Sequence, residues 1–134
     1  MELKWSIRLI RLAAIFALLG TYLGSHISAS GSYEYRPIHA HILLVGWLSM
    51  FAWGIFYRAF KVKSQKLVTA HGWTAILGVF GLTLGMLFYN INPFHFSSTF
   101  TLIFFIIGGT TLLISFALFI VVTFMVNLKE EMKS

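Results

Sequence analysis

Five histidines, His26, His39, His41, His71 and His95, are the side chains with the most chemistry to offer in this sequence. Neutral imidazole is a common metal ligand, and it gains or loses charge near neutral pH. The chain has no cysteine, which excludes a disulfide, a thiolate metal site, an iron–sulfur cluster and a covalently attached c-type haem. His39 and His41 stand two residues apart, which on a helix is about 200° of rotation. They cannot bind one metal from the same helix, but they can serve two sites, one on each side. Below His39 on the same stripe come Gly46, Met50, Trp53 and Tyr57. A glycine one heptad below a histidine leaves room for a flat macrocycle against the backbone, and imidazole is an axial ligand to haem iron. The plainer reading is that the two histidines cap an interfacial helix end.

The elements that position these histidines are apolar helices. Of the 134 residues, 58% are hydrophobic and 10% charged, and the mean hydropathy is +0.84, too few polar groups to cover a water-soluble domain. Four apolar runs follow one another, over about 7–27, 38–57, 67–89 and 99–126. Each is about 20 residues or longer, enough to cross a hydrocarbon core. The last exceeds that need and is expected to tilt or protrude. The expected fold is all-α, a single four-helix transmembrane domain over residues 1–134. The first run is longer than the core of a signal peptide and has no clear cleavage site, so it reads as a retained helix.

Basic residues orient the bundle. Lys4, Arg8 and Arg11 open the chain, Arg58, Lys61, Lys63 and Lys66 fill the second connection, and Lys129 and Lys133 close it. Only Arg36 falls on the other face, so the basic face, with both termini, is expected in the cytoplasm. The net charge of +6 is thus a topology signal and no sign of a nucleic-acid partner. In this topology His39 and His41 open the second helix on the outer side. His26 and His95 lie near the outer loops, as solvated loop residues or as further ligands. His71 lies near the inner end of the third helix, too deep to share a metal with His41. Small residues repeat every four positions, Gly20, Gly24 and Ser28 on the first helix and Gly81 and Gly85 on the third. This spacing lets backbones approach closely in lipid, within the bundle or between subunits.

The string His39-Ala40-His41-Ile42-Leu43-Leu44-Val45-Gly46-Trp47, continuing to Gly54-Ile55-Phe56-Tyr57, resembles the tenth helix of haem–copper oxidase catalytic subunits. The resemblance is closest to the C-family oxidases and nitric oxide reductases. Ala70-His71-Gly72-Trp73 and the following Gly78 resemble that family's next helix. The resemblance implies that His39 and His41 ligate two haems, non-covalent b-type in a chain without cysteine. It gives the histidine matching His71 no haem. Arg36-Pro37-Ile38-His39 also resembles the start of the family's second helix, whose histidine binds the low-spin haem, so His39 matches two roles. Arg36 is placed either to pair with a haem propionate or to serve as an ordinary interfacial arginine.

The departures from the family are as informative. Its catalytic subunit has about three times as many helices, and further histidines that hold copper; this chain has no recognisable copper-ligand set on its other helices. The resemblance implies a multi-pass protein of the inner (cytoplasmic) membrane that binds haem b and transfers electrons. An oligomeric oxygen or nitric oxide reductase, a haem or gas sensor and an oxidase assembly factor are the alternatives. The family's subunit resembles three four-helix arcs about a pseudo-threefold axis, which implies a homotrimer of this chain. No residue identifies the electron donor.

Overall fold

A computed structural model describes residues 1–127. Lys129, Lys133 and the C-terminus, on which part of the charge argument rests, lie outside the described residues. In an apolar solvent a backbone must pair its own N–H and C=O groups, and a helix does so within one segment. Four helices result, Glu2–Ser30, Tyr33–Ala59, Gln65–Asn90 and Ser98–Phe124, each long and apolar enough to cross a membrane. Large apolar side chains such as Leu18, Leu113 and Phe124 point outward, a surface suited to lipid and not to water.

The ends have local causes. Gly31 closes the first helix at φ 69°, a left-handed conformation natural to glycine, and its N–H donates to the Ile27 carbonyl at 2.9 Å. Ser64 and Ser97 cap the third and fourth helices by accepting from the N–H groups of Leu67 and Phe100, each at 3.3 Å. The fourth helix stops at Phe124, short of the end of its apolar run. Val126 instead forms an isolated antiparallel bridge with Val62. Lys63 N–H donates to Met125 and Asn127 N–H to Lys61 across it. Glu2 accepts from Val62 N–H and from the Gln65 amide. The chain start, the second connection and residues 125–127 are therefore tied together at one end of the bundle.

The second helix is not uniform. A 3-10 turn, Tyr33–Tyr35, leads into α-helix over Arg36–His41, then π-helix over Ile42–Ser49, then α-helix again over Met50–Ala59. The Ser49 hydroxyl donates to the Leu44 carbonyl at 2.9 Å, spanning the five residues by which a π-helix bonds. The wider winding changes the phase between the histidines and the lower half, yet Gly46, Met50, Trp53 and Tyr57 all remain buried.

Glycines decide which helices meet. The third and fourth make the most extensive contact, and the first packs mainly on the second. A Cβ at Gly81 would lie 2.8 Å from the Gly108 Cα, one at Gly78 2.6 Å from the Leu112 Cα, and one at Gly85 2.7 Å from the Phe105 Cα. On the first helix, Gly20 and Gly24 face Leu43 and His39. Gly20, Gly24, Gly81 and Gly85 thus serve contacts within the chain, while Ser28 is exposed. Backbone cannot swing aside as a side chain can, so added volume must separate the helices. Gly108→Ala is expected to destabilise the fold by about 1–3 kcal/mol. Gly109→Ala, whose methyl group would meet only Leu82 at 3.7 Å, should be neutral or stabilising by helix propensity. Denaturant unfolding of both variants in mild detergent checks this, and equal losses would contradict it.

Candidate functional site at the start of the second helix

His39 is seated against the first helix. Its Nδ1 lies 2.8 Å from the Gly20 carbonyl oxygen. A carbonyl can only accept, so Nδ1 carries a proton, and in the neutral ring Nε2 keeps its lone pair. The seat depends on the neighbouring glycine one turn on: a methyl group at Gly24 would lie 2.7 Å from His39 Cε1. The sequence spacing Gly20-x-x-x-Gly24 therefore makes a groove in which an imidazole ring lies flat enough to reach backbone. The half-buried ring borders a pocket of about 430 Å³ whose other lining residues are Gly24, Ile27, Ser28, Tyr33 and Arg36. The Arg36 guanidinium stacks over the Tyr33 ring at 4.0 Å, a cation–π contact that holds the positive charge at the pocket's edge.

His41 is fixed differently. Its Nδ1 lies 2.8 Å from the Pro37 carbonyl, one turn back on its own helix. The same reasoning puts the proton on Nδ1 and leaves Nε2 a lone pair. Both histidines lie on the short α-helical stretch, where two residues separate their directions by about 200°. His39 uses the side facing the first helix, and His41 does not. An imidazole whose Nδ1–H is bonded to a backbone carbonyl is held in one tautomer with the second nitrogen directed outward, the usual preparation of a metal-binding histidine.

Gly46 is buried one heptad below His39, but the space beside it is taken. A Cβ there would overlap the ring of Phe16, itself packed edge-on against Phe80 at 5.0 Å. A macrocycle lying along this stripe would have to displace Phe16. The structure brings His39 and Arg36 to one pocket, turns Gly46 to the first helix and keeps His41 apart from both.

The remaining histidines occupy separate places. His26 is exposed, with its ring edge-on to Tyr35 at 6.0 Å. His95 is exposed in the last connection with φ 56°. There the Asn92 side chain donates to the Phe96 carbonyl and accepts from the Phe96 N–H, both at 2.8 Å. Among the described residues, no three His, Cys, Asp or Glu side chains converge in a way that could hold a metal ion. His71 is fully buried at the tied end of the bundle, with Nδ1 2.7 Å from the Tyr57 hydroxyl.

Two features escaped the sequence reading. The π-helical stretch has no marker in residue type beyond the lone Gly46. The Tyr57–His71 pair has one usable signal: the short 60–64 connection must bring the end of the second helix and the start of the third to the same depth.

A scan against protein-family models, a search of the curated proteins and a search of the solved structures find no match to this chain.

The tautomers are open to direct measurement. In histidine-labelled protein in bilayers, ¹⁵N spectra should show His39 and His41 with protonated Nδ1 and unprotonated Nε2. Gly24→Ala should push His39 off the Gly20 carbonyl and perturb its signals alone. An Nε2–H tautomer at His39 in the parent protein would contradict the seat described.

Proposed function

We propose that this chain is a b-type haem-binding electron-transfer protein of the inner membrane, with His39 and His41 as iron ligands and both termini in the cytoplasm. The observation that carries the reading is the matched preparation of the two histidines: each Nδ1–H is bonded to a backbone carbonyl and each Nε2 is left with a lone pair. Axial ligation needs that lone pair and no deprotonation step. Two donors of one type, without carboxylate or thiolate, suit haem iron better than a bare divalent ion, which takes four or more ligands.

The fit is good at three residues and poor at one. His39 borders the outer pocket, where Arg36 supplies a cation suited to a carboxylate such as a propionate. His41 directs its free nitrogen away from the chain's own pocket. At Gly46 the ring of Phe16 stands in the way, so the reading gives Gly46 a role only if that ring turns aside. When bound, haem would supply one-electron redox chemistry, and the apolar residues around it would exclude water. The residues of this chain bind and orient.

The outward direction of His41 also supports a homo-oligomer. A haem held by His41 would take a further protein ligand at similar depth, and a second helix from another copy would offer one. Three copies related by closed rotation satisfy this with one repeated interface. The family resemblance of residues 39–57 favours three over two. A basic N-terminal segment and second connection support the orientation through the positive-inside rule.

Absorption spectra of the purified protein, oxidised, reduced and with carbon monoxide, test the central point. Sharp six-coordinate bands insensitive to carbon monoxide are expected. A carbon monoxide shift would favour a gas-binding or reductase-like activity instead, and absence of haem would end the reading. His39→Ala and His41→Ala should each weaken haem binding by about tenfold or more, while His71→Ala should leave it intact. Native mass spectrometry of the same preparation should give three copies with haem retained; a stable one- or two-copy species would refute the trimer.

Orientation is tested separately. Reporter fusions at Ser134 and beside Ser32 should report opposite compartments, the first cytoplasmic. Matching compartments would overturn the topology.

A further inference from the structure

The end of the bundle opposite the tied one carries the two remaining connections, and they differ in chemistry. The first, between Ser30 and Arg36, is polar. Ser30 and Ser32 pair their hydroxyls at 2.9 Å, and Glu34 and Arg36 are exposed. The last, residues 91–97, runs Ile-Asn-Pro-Phe-His-Phe-Ser. It holds no Asp, Glu, Lys or Arg, and none occurs anywhere between Lys66 and Lys129. His95 is the one side chain of this connection that can carry charge, and an imidazole can shed it near neutral pH.

The tip turns its rings outward. Phe94, Phe96 and Phe100 are 65%, 40% and 46% exposed. They form one patch: Phe96 lies 5.6 Å from Phe94 and 5.2 Å from Phe100, and Phe88 backs Phe94 and Phe96 at 6.1 and 5.4 Å. A contiguous exposed apolar patch marks a surface made for an apolar partner. The backbone beneath it is prepared to leave water. The N–H groups of Ile91 and Asn92 both donate to the Leu87 carbonyl, and that of His95 donates to the Asn92 carbonyl. The Asn92 side chain takes up both backbone groups of Phe96, and Pro93 has no N–H to pair. Left-handed φ angles at Asn92 (48°) and His95 (56°) turn the chain tightly enough for these bonds. Away from water an unpaired backbone group is costly, so such pairing is what a connection in contact with lipid requires.

Length places the tip. The third helix has 26 residues, a rise of about 39 Å at about 1.5 Å each. The hydrocarbon core measures about 30 Å, and the bilayer with its headgroups about 40–45 Å. With Lys61, Lys63 and Lys66 held at one interface, the tip reaches the headgroup zone of the opposite leaflet and goes no further. We propose that Phe94, Phe96 and Phe100 seat this tip in the boundary between acyl chains and headgroups of a phospholipid bilayer, while the first connection at the same end stays in water. The proposal rests on the reading of the chain as a membrane bundle and is independent of haem. Lipid fits better than a second protein because the patch continues without a charged border into Ile103 and Ile107. These stand three and seven residues beyond Phe100 on the same face and are themselves exposed. Apolar rings at this depth are a membrane anchor. The hairpin is thereby pinned at both interfaces, by lysines at one and by phenylalanines at the other.

A chain without cysteine accepts single nitroxide labels with no background. Phe94→Cys and Phe96→Cys report the tip, Glu34→Cys the first connection and Leu113→Cys the middle of the fourth helix. All four positions are exposed, so each variant should fold. In phosphatidylcholine–phosphatidylglycerol bilayers, power-saturation EPR compares collisions with oxygen, which concentrates in lipid, and with a water-soluble nickel chelate. Oxygen should dominate at Phe94→Cys, Phe96→Cys and, most strongly, Leu113→Cys, and nickel at Glu34→Cys. Adding Phe94→Asp, which puts a charge in the tip, should lower the oxygen-to-nickel ratio at Phe96→Cys. Nickel dominance at the tip, with Leu113→Cys still in lipid, would overturn the seat alone. Shielding of the tip from both reagents would assign it to a protein contact and overturn the seat equally. Nickel dominance at Leu113→Cys would instead overturn the membrane reading on which the seat rests.

Discussion

Helices surrounded by lipid gain nothing from hiding apolar side chains from one another, since the solvent is as apolar as the interface. Four helices long and apolar enough to cross a membrane would there be held by close contact, and close contact requires that nothing project from the touching backbones. Gly81 and Gly108 meet backbone to backbone, Gly78 and Gly85 lie on the main chain of the fourth helix, and Gly54 lies near that of the first. The dispersion attraction gained at each contact is individually small and falls steeply with separation. A single methyl group at such a position consequently acts on the whole length of a helix pair.

The same constraint governs the polar groups. A buried imidazole must be paired or its burial costs stability. His39 finds the Gly20 carbonyl because Gly24 leaves the ring room to lie there, so one glycine groove provides both helix contact and ligand orientation. His41 uses the carbonyl of Pro37 on its own helix. His71 finds only a tyrosine, which satisfies half of it. His71 thus differs from His39 and His41 in what its second nitrogen is free to do, and the difference follows from which backbone or side chain stands opposite.

Much of the architecture was legible in the residues. Run length alone gave the four helices, since hydrophobicity at this level leaves few other folds. The caps at Ser64 and Ser97 and the stop at Gly31 follow from ordinary helix-end chemistry. The placement of His39 and His41 at the start of the second helix also follows from Pro37, which sits in its first turn. The end of the fourth helix did not follow. Val126 is apolar and reads as helix, but the backbone pairing with Val62 wins, and such pairing depends on a segment more than sixty residues away. Gly46 shows a related limit. A glycine announces a space without saying what fills it, and here Phe16 from the first helix does. The π-helical winding depends on the balance of contacts around the second helix, which a local pattern does not encode.

The contacts divide the bundle into two hairpins with different kinds of joint between them. Within each hairpin, glycines bring backbones together. Between them, the lower half of the second helix reaches the third and fourth mainly through Trp53, Phe56 and Tyr57, long side chains that span a wider gap. Rings can turn or slide over one another at less cost than packed backbones can separate. The pocket at His39 lies wholly between the first helix and the start of the second, within one hairpin. The Tyr57–His71 pair lies across the joint, at the end where Glu2 and the Val62–Val126 bridge also tie the hairpins together. Two elements run from His39 to that joint: the second helix, through its π-helical stretch, and the first, which accepts from His39 at Gly20 and packs Trp5 on Gly72. Widening or tightening that stretch would rotate Trp53 and Tyr57 relative to His39. The irregular winding therefore sets the angular phase between the two histidine sites along the second helix.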